Sequence, residues 1–268
     1  MMTSHLRHQG IYLGNNRALT QTKWGHKVFV DTTDVSLTPH ILLDGYWEMW
    51  ITKALLSELK PGMTFVDIGS NLGYFSILGA DAVGESGKVI SFEANPEMHE
   101  LTYRNLEING FLDRSECHNK AAFSENTMLE FKLYEKHKGS SSLYALDEAA
   151  AHFHDSLTTI SVEAVTLDSA LAGRKVDVIK MDAEGAEPAI LSGARNLLAD
   201  NPDIAIFMEF SPGFLPSMGE SEAVLDMMTG LGFSIRRIDT DSSLVPVDKE
   251  ELLSDVYRQF DLYLKREA

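Results

Sequence analysis

The sequence predicts an α/β fold: a Rossmann-like sheet of mostly parallel strands with helices on both faces. Three observations predict it. From Met63 onward, short apolar runs alternate with segments of helical period, the pattern of βαβ units. Four of those runs end in an acid, at Asp67, Glu93, Asp182 and Glu209. The first is followed by a glycine-bearing turn, DIGSNLG (residues 67–73), that opens a helical pattern.

Residues 1–60 precede this alternation and read as an N-terminal cap on a domain of residues 61–268. Within the cap, KVFVD (Lys27–Asp31) has the composition of a strand. In YWEMWITKALLSELK, the residues Trp47, Trp50, Ile51, Ala54 and Leu55 recur at helical spacing and predict one apolar face. Lys60-Pro61-Gly62 ends that helix. In the domain, MTFVDIG predicts a buried strand and LGYFSILGADAV a helix. GKVISFEA predicts the second strand, and NPEMHELTYRNLEING a helix closed by Gly110. A third strand falls near SECHNKA. MLEFKLYE and TTISVEAVTL then alternate as half-buried strands around the polar segment KHKGSSSLYALDEAAAHFHD, which predicts a hairpin-like insertion with a mobile loop. VDVIKMD and DIAIFMEF are further buried strands, joined by the helical pattern AEPAILSGARNLLAD.

Composition narrows the function. A net charge of −17 over 268 residues disfavours a nucleic-acid partner, whose phosphates reward basic patches. The one cysteine, Cys117, excludes an intramolecular disulfide and fits a reducing cytoplasm. No apolar run is long enough for membrane insertion. Nothing in the pattern indicates an oligomeric state.

The glycine turn is the first chemical clue. A dinucleotide site wants G-x-G-x-x-G, so that a pyrophosphate meets bare N–H groups. Here Asn71 stands in place of the middle glycine, and the carboxylate of Asp67 at the entrance repels phosphate. Glu93, one βα unit later, has the position to accept both ribose hydroxyls of an adenosine. An adenosine that carries an α-amino acid and no phosphate satisfies both features, and S-adenosylmethionine is such a molecule.

These segments, with VTLDSAL, VDVIKMDAEGAEPAILSGARNLL and MEF, resemble the FkbM family of S-adenosylmethionine-dependent methyltransferases from about Asp44 to Phe210. The resemblance implies a class I methyltransferase fold with a seven-stranded sheet whose last strand, VYRQFDLYLKR, runs antiparallel. It also implies O-methylation of a hydroxyl on a sugar, glycan or natural-product acceptor. By position, Asp67, Gly69, Ser70, Asn71, Gly73 and Tyr74 would line the methionine end and Glu93 the ribose. Ala94, Asn95, Asn119 and Ala121 would flank the adenine, and Asp182 would abut the sulfonium. Ser70 replaces the alanine of many relatives.

Methyl transfer to an alcohol gains from in-line positioning and from a base that takes the proton. The candidate catalytic residues are Asp182, Lys180, Glu184 and Glu209, the first two on one face of their strand. Plainer roles stand beside these: Lys180 as the counter-charge of a buried acid, Glu184 as a helix cap. Asp182, Glu184 and Glu209 also make a possible magnesium set, in which the ion would orient and acidify a diol. His137, His152 and His154 lie in or beside the insertion, as a base or simply solvated. Ser140–Ser142 could bind acceptor or act as linker. Trp47 and Trp50 are expected in the core, with ring stacking as the alternative. An amine acceptor, a nicotinamide-dependent oxidoreductase and a non-catalytic cofactor-binding protein are the competing functions.

Overall fold

In the computed structural model, which describes residues 10–144, 154–213, 218–255 and 257–267, the chain opens on a small antiparallel sheet. Strands β1 (Ile11–Gly14), β2 (Arg17–Gln21) and β3 (Lys27–Asp31) lie side by side in chain order. Gly14, Asn15 and Asn16 all have positive φ, the backbone that a tight hairpin turn requires. The sequence pattern predicts β3 alone. It misses β1 because Ile11, Tyr12 and Leu13 are consecutive and all exposed, so no alternation marks them.

Helices α1 (Thr38–Leu43) and α2 (Met49–Glu58) follow. The second buries Ile51, Ala54 and Leu55 as their spacing predicts. It begins only after Glu48, however, so Trp47 lies in the turn before the helix and not on its apolar face. The alternating region then runs β4 (Thr64–Ile68), α3 (Tyr74–Val83), β5 (Lys88–Phe92), α4 (Pro96–Ile108) and β6 (Ser115–His118). A second small sheet holds β7 (Ala121–Ala122), β8 (Thr127–Tyr134) and β9 (Leu157–Val165). The chain continues through α5 (Leu167–Ala170), β10 (Val178–Met181), α6 (Glu187–Ser192), α7 (Arg195–Asp200) and β11 (Ala205–Phe210). It closes with α8 (Met218–Gly230), β12 (Phe233–Ile238), β13 (Leu244–Pro246), α9 (Lys249–Leu253) and β14 (Phe260–Arg266).

The main sheet has the order β13-β12-β14-β11-β10-β4-β5-β6. Strands β6, β5, β4, β10 and β11 are parallel, and β14 is antiparallel to both β11 and β12. That is the expected seven-stranded arrangement with β13 added at the edge by an antiparallel turn from β12. Alternate residues feed two cores. Phe65, Val89, Val178 and Phe207 pack with α2, α3 and α4 on one face. Val66, Ile68, Ile90, Ile179, Met181 and Met208 pack with α6, α7 and α8 on the other. A sheet covered on both faces explains why its strands read as unbroken apolar runs.

The single helical pattern expected over AEPAILSGARNLLAD is split into α6 and α7 at Gly193. A Cβ there would lie 2.2 Å from the Phe123 carbonyl oxygen, so the glycine lets the second small sheet dock closely. That sheet contains the expected hairpin, with β8 and β9 paired from Thr127–Ala164 to Tyr134–Leu157. The stretch after β8 is tied in place. Val35 N–H donates to Lys136 O at 2.9 Å, and Ser142 Oγ to Glu184 O at 3.0 Å. His152 lies outside the described residues. Among the described residues no helix is long and apolar enough to cross a membrane.

Candidate active site

A cavity of about 340 Å³ opens at the carboxyl ends of β4, β5, β10 and β11, within the size range of small-molecule sites. Ser36, Leu37, Trp47, Glu48 and Lys138–Ser141 line it from the cap and the insertion.

Gly69, Ser70 and Asn71 bring the glycine turn to the cavity wall. Gly69 has φ +73°, and a Cβ on it would lie 1.8 Å from the Asp182 carbonyl oxygen. The glycine is therefore demanded by the neighbouring strand end, not by a ligand. Gly73, also at positive φ, is pressed against Thr102 and does not line the cavity. The N–H groups of Gly69 and Ser70 both donate to the Phe92 carbonyl, at 3.0 and 3.2 Å. Asn71 N–H donates to Glu93 Oε2 at 2.7 Å, Leu72 N–H to Asn71 Oδ1 at 2.7 Å, and Gly73 N–H to Ser70 O at 2.8 Å. Every N–H of the turn from Gly69 to Gly73 thus has a partner within the protein.

Glu93 is buried at the end of β5 and faces the cavity. Its Oε1 accepts the Asn95 N–H at 2.8 Å while Oε2 takes that of Asn71. Burial pushes its carboxyl up to about 7, against those two hydrogen bonds. Ala94 and Ala121, assigned to the adenine by resemblance, line the cavity, with Lys120 between the strands. Asn95 and Asn119 stand behind the wall instead. Asn95 Oδ1 caps α4 through the Glu97 N–H at 3.0 Å, and Asn119 Nδ2 donates to Glu93 O at 2.8 Å. Asp67 is likewise displaced from its expected place. It is fully buried under α3, where Ser76 Oγ donates to its Oδ2 at 2.5 Å, and it does not reach the cavity. Tyr74 does line it, its hydroxyl 3.2 Å from Thr52 Oγ1.

The expected catalytic set, Lys180, Asp182, Glu184 and Glu209, meets at the other end of the same cavity. Lys180 Nζ donates to Asp182 Oδ2 at 2.8 Å and sits 4.6 Å from the centre of the Phe75 ring. Burial opposes its charge, but Asp182, Asp67 and Glu48 outweigh that, and its pKa is raised. Lys180 therefore remains a cation and is no base at neutral pH. Burial raises the carboxyls of Glu184 and Glu209 well above their ordinary value, with Asp182 adding repulsion in both cases. Glu187, buried one turn on, accepts the N–H groups of Ala183 (2.7 Å) and Gly185 (3.0 Å) and so shapes the loop that presents Asp182 and Glu184. The magnesium reading is not supported: among the described residues no three His, Cys, Asp or Glu side chains are grouped to hold a metal ion.

Two contributors escape sequence reasoning, and Trp47, expected in the core with stacking as the alternative, lines the cavity. Glu48 enters beside Trp47 from the turn before α2, where no spacing distinguishes it from helix residues. Lys138 enters from the insertion, its ammonium 2.6 Å from both Asp31 Oδ2 and Glu97 Oε2. His137 pairs through Nδ1 with Asp155 at 2.9 Å and, like His154, does not line the cavity. Ser140 and Ser141 do line it.

Comparison with known proteins finds similarity to methyltransferases. A 63-residue stretch is 38% identical to the protein-L-isoaspartate O-methyltransferase of Methanococcoides burtonii, covering 24% of this chain and 31% of that one. Another, of 52 residues, is 42% identical to the enzyme of the same name from Methanothrix thermoacetophila, covering 19% and 25%. The chain thus spans a third or less of these curated relatives. Among solved structures, an S-adenosylmethionine-dependent O-methyltransferase of Thermotoga maritima is similar at 14% identity and a TM-score of 0.47, covering 98% of this chain and 86% of that one. The model of the methyltransferase FkbM domain matches residues 67–235, which hold the glycine turn, Glu93 and the whole Lys180–Glu187 segment. With more than half of its length matched in this way, the chain belongs to the FkbM methyltransferase domain family.

Proposed function

We propose that the chain transfers the methyl group of S-adenosylmethionine to a hydroxyl of a sugar, glycan or natural-product acceptor. One observation carries this reading: a single cavity joins the Glu93 carboxylate to the acid-lined ends of β10 and β11. Each Glu93 oxygen accepts one N–H and keeps a second lone pair, so the pair suits two adjacent ribose hydroxyls. The internally satisfied turn has no N–H left for a pyrophosphate, which weighs against a nicotinamide dinucleotide. The cofactor supplies an electrophilic methyl group, and the protein holds the acceptor oxygen against it.

The acceptor end favours an uncharged hydroxyl. Glu48, Asp182, Glu184 and Glu209 surround it, and an acceptor carboxylate would add a charge where burial already disfavours charged carboxyls. Trp47 adds an aromatic wall on which the apolar face of a sugar ring can rest.

Calorimetry with S-adenosylhomocysteine tests the cofactor half. Binding is expected, and Glu93→Ala should weaken it about 10- to 100-fold, the value of hydrogen bonds to a charged group. An absent binding heat, or tighter binding of NAD, would end the reading. Release of S-adenosylhomocysteine in the presence of methyl glycosides, matched amines and matched carboxylates tests the acceptor half, with the glycosides expected to react fastest.

A further inference from the structure

Three non-glycine residues that line the cavity, Glu48, Asn71 and Glu184, have positive φ. Asparagine takes that backbone readily, whereas glutamate does so at a cost of about 1–2 kcal/mol. Glu48, at φ +38°, is held there by its neighbours. Its carbonyl accepts the Thr52 N–H at 2.9 Å, and the Trp47 carbonyl accepts the Thr52 hydroxyl at 2.8 Å. The strained turn aims the carboxylate inward between the main cavity and a small recess lined by Ile51, Met181 and Asp261.

What the carboxylate meets there is unusual. Glu48 Oε2 is sealed from bulk water and has no hydrogen-bond partner. Several nearby acids have donors: Asp182 Oδ2 takes one from Lys180, Glu209 Oε1 takes the Ser211 hydroxyl at 2.9 Å, and Glu187 takes two backbone N–H groups. Among the described residues, Glu48 Oε2 and Asp67 Oδ1 are the buried carboxylate oxygens that lack a donor, and of the two residues only Glu48 lines the cavity.

We propose that Glu48 is the general base of the transfer, its carboxylate accepting the proton of the acceptor hydroxyl. The inference rests on the methyltransferase reading above. The acceptor oxygen bonds the methyl carbon as the carbon–sulfur bond breaks, the bonding pair stays on sulfur, and the hydroxyl proton passes to the carboxylate. Atoms and charge then balance with no further reactant.

The surroundings suit the task. Glu48 is faced by Asp182 and Lys180 at β10, Glu184 beyond it, Asp261 on β14 and Tyr74 on α3. Burial pushes its carboxyl up to about 8, with Asp182 and Asp261 reinforcing the shift and Lys180 opposing it. A base of that strength is partly ionised near neutral pH and takes a proton far more readily than an exposed carboxylate. Lys180 serves as a positioning residue, because it occupies Asp182 Oδ2 and leaves Glu48 as the acceptor of the proton.

The test is Glu48→Gln, which keeps the shape and removes the basicity, with Glu48→Asp as the conservative partner. S-adenosylhomocysteine affinity should stay within about twofold of the wild type, showing an intact fold and cofactor end. Transfer to any methyl glycoside that the wild-type chain accepts should fall about 10²- to 10⁴-fold, with partial recovery in Glu48→Asp. Carbon-13 spectra of the ligand-free chain give the second readout, the Glu48 carboxyl being the line absent from Glu48→Gln. It should titrate above about pH 6.5, far from the ordinary value near 4. A rate within threefold of wild type overturns the proposal, and so does a Glu48 carboxyl titrating near 4. If the wild-type chain binds S-adenosylhomocysteine but methylates no glycoside, the acceptor class is wrong, and the titration alone decides for or against Glu48.

Discussion

The two ends of the cavity are built on opposite principles. At the β4–β5 end, backbone and carboxylate satisfy each other: the turn amides go to the Phe92 carbonyl, Ser70 O, Asn71 Oδ1 and Glu93. At the β10–β11 end, four acids crowd one ammonium, and their mutual repulsion and burial raise three of their carboxyls. The first end is pre-organised for a ligand of fixed shape. The second stores unfavourable electrostatics beside the proposed proton transfer, the arrangement expected where acid–base chemistry takes place.

The strongest way to break this contrast is to remove the one cation. Lys180→Met leaves the buried Asp67 and the half-buried Asp182 without a counter-charge, which should cost about 3–5 kcal/mol of stability in urea melts. S-adenosylhomocysteine affinity, measured where the variant is still folded, should change by no more than about twofold if the two ends are energetically separate. An affinity loss as large as the stability loss would show that they are one unit.

A milder probe is pH. Glu48 is raised to about 8, and Glu93 and Glu187 to about 7, each mainly by burial. The folded state therefore keeps protons that the unfolded chain releases above about 4.5, so unfolding free energy falls as pH rises from about 5 to 8. His26 and His118, held below their usual value chiefly by burial, act with the opposite sign below about 6.5 and are outnumbered, because burial also raises the carboxyls of Glu184 and Glu209. The ligand-free chain should be more stable at pH 5 than at pH 8 by about 2 kcal/mol, and Glu48→Gln should flatten the upper part of that slope. A flat or rising profile in the wild type would mean that water reaches these acids.

The same contrast explains what the sequence discloses. The βα alternation, the hairpin and the strand-end acids are legible because they are local in the chain, repeating every two or 3.6 residues. The strand-end positions of Glu93, Lys180 and Asp182 are therefore readable, and all three line the cavity. Asp67 and Gly69 show the limit: strand-end placement does not say which face a carboxylate takes, nor whether a glycine yields to a ligand or to the Asp182 carbonyl. Glu48 and Lys138 are invisible at that level. Each reaches the cavity from a distant element, through a left-handed turn in one case and an ionic cluster in the other.

That ionic cluster offers the gentlest test, because it touches the cofactor end only through its roof. Lys138 joins the insertion to Asp31 on β3 and Glu97 on α4, and Arg17 bridges the same two acids at 2.8 and 2.6 Å. Gly139, the next residue, lies over Asn71, where a Cβ would be 3.4 Å from the amide nitrogen. Lys138→Met leaves both acids paired with Arg17, so the fold should lose only about 1 kcal/mol. The wall over Asn71 loses its ionic anchor and keeps the Val35–Lys136 and Ser142–Glu184 hydrogen bonds. S-adenosylhomocysteine should then leave about fivefold faster, the kinetic value of roughly 1 kcal/mol, with little change in its rate of arrival. Because the anchor is partly exposed at Glu97, added salt should speed release from the wild type and have a smaller effect on the variant. Equal release rates in the two chains would assign the roof to its two remaining hydrogen bonds, and would detach the cap–insertion clamp from cofactor retention.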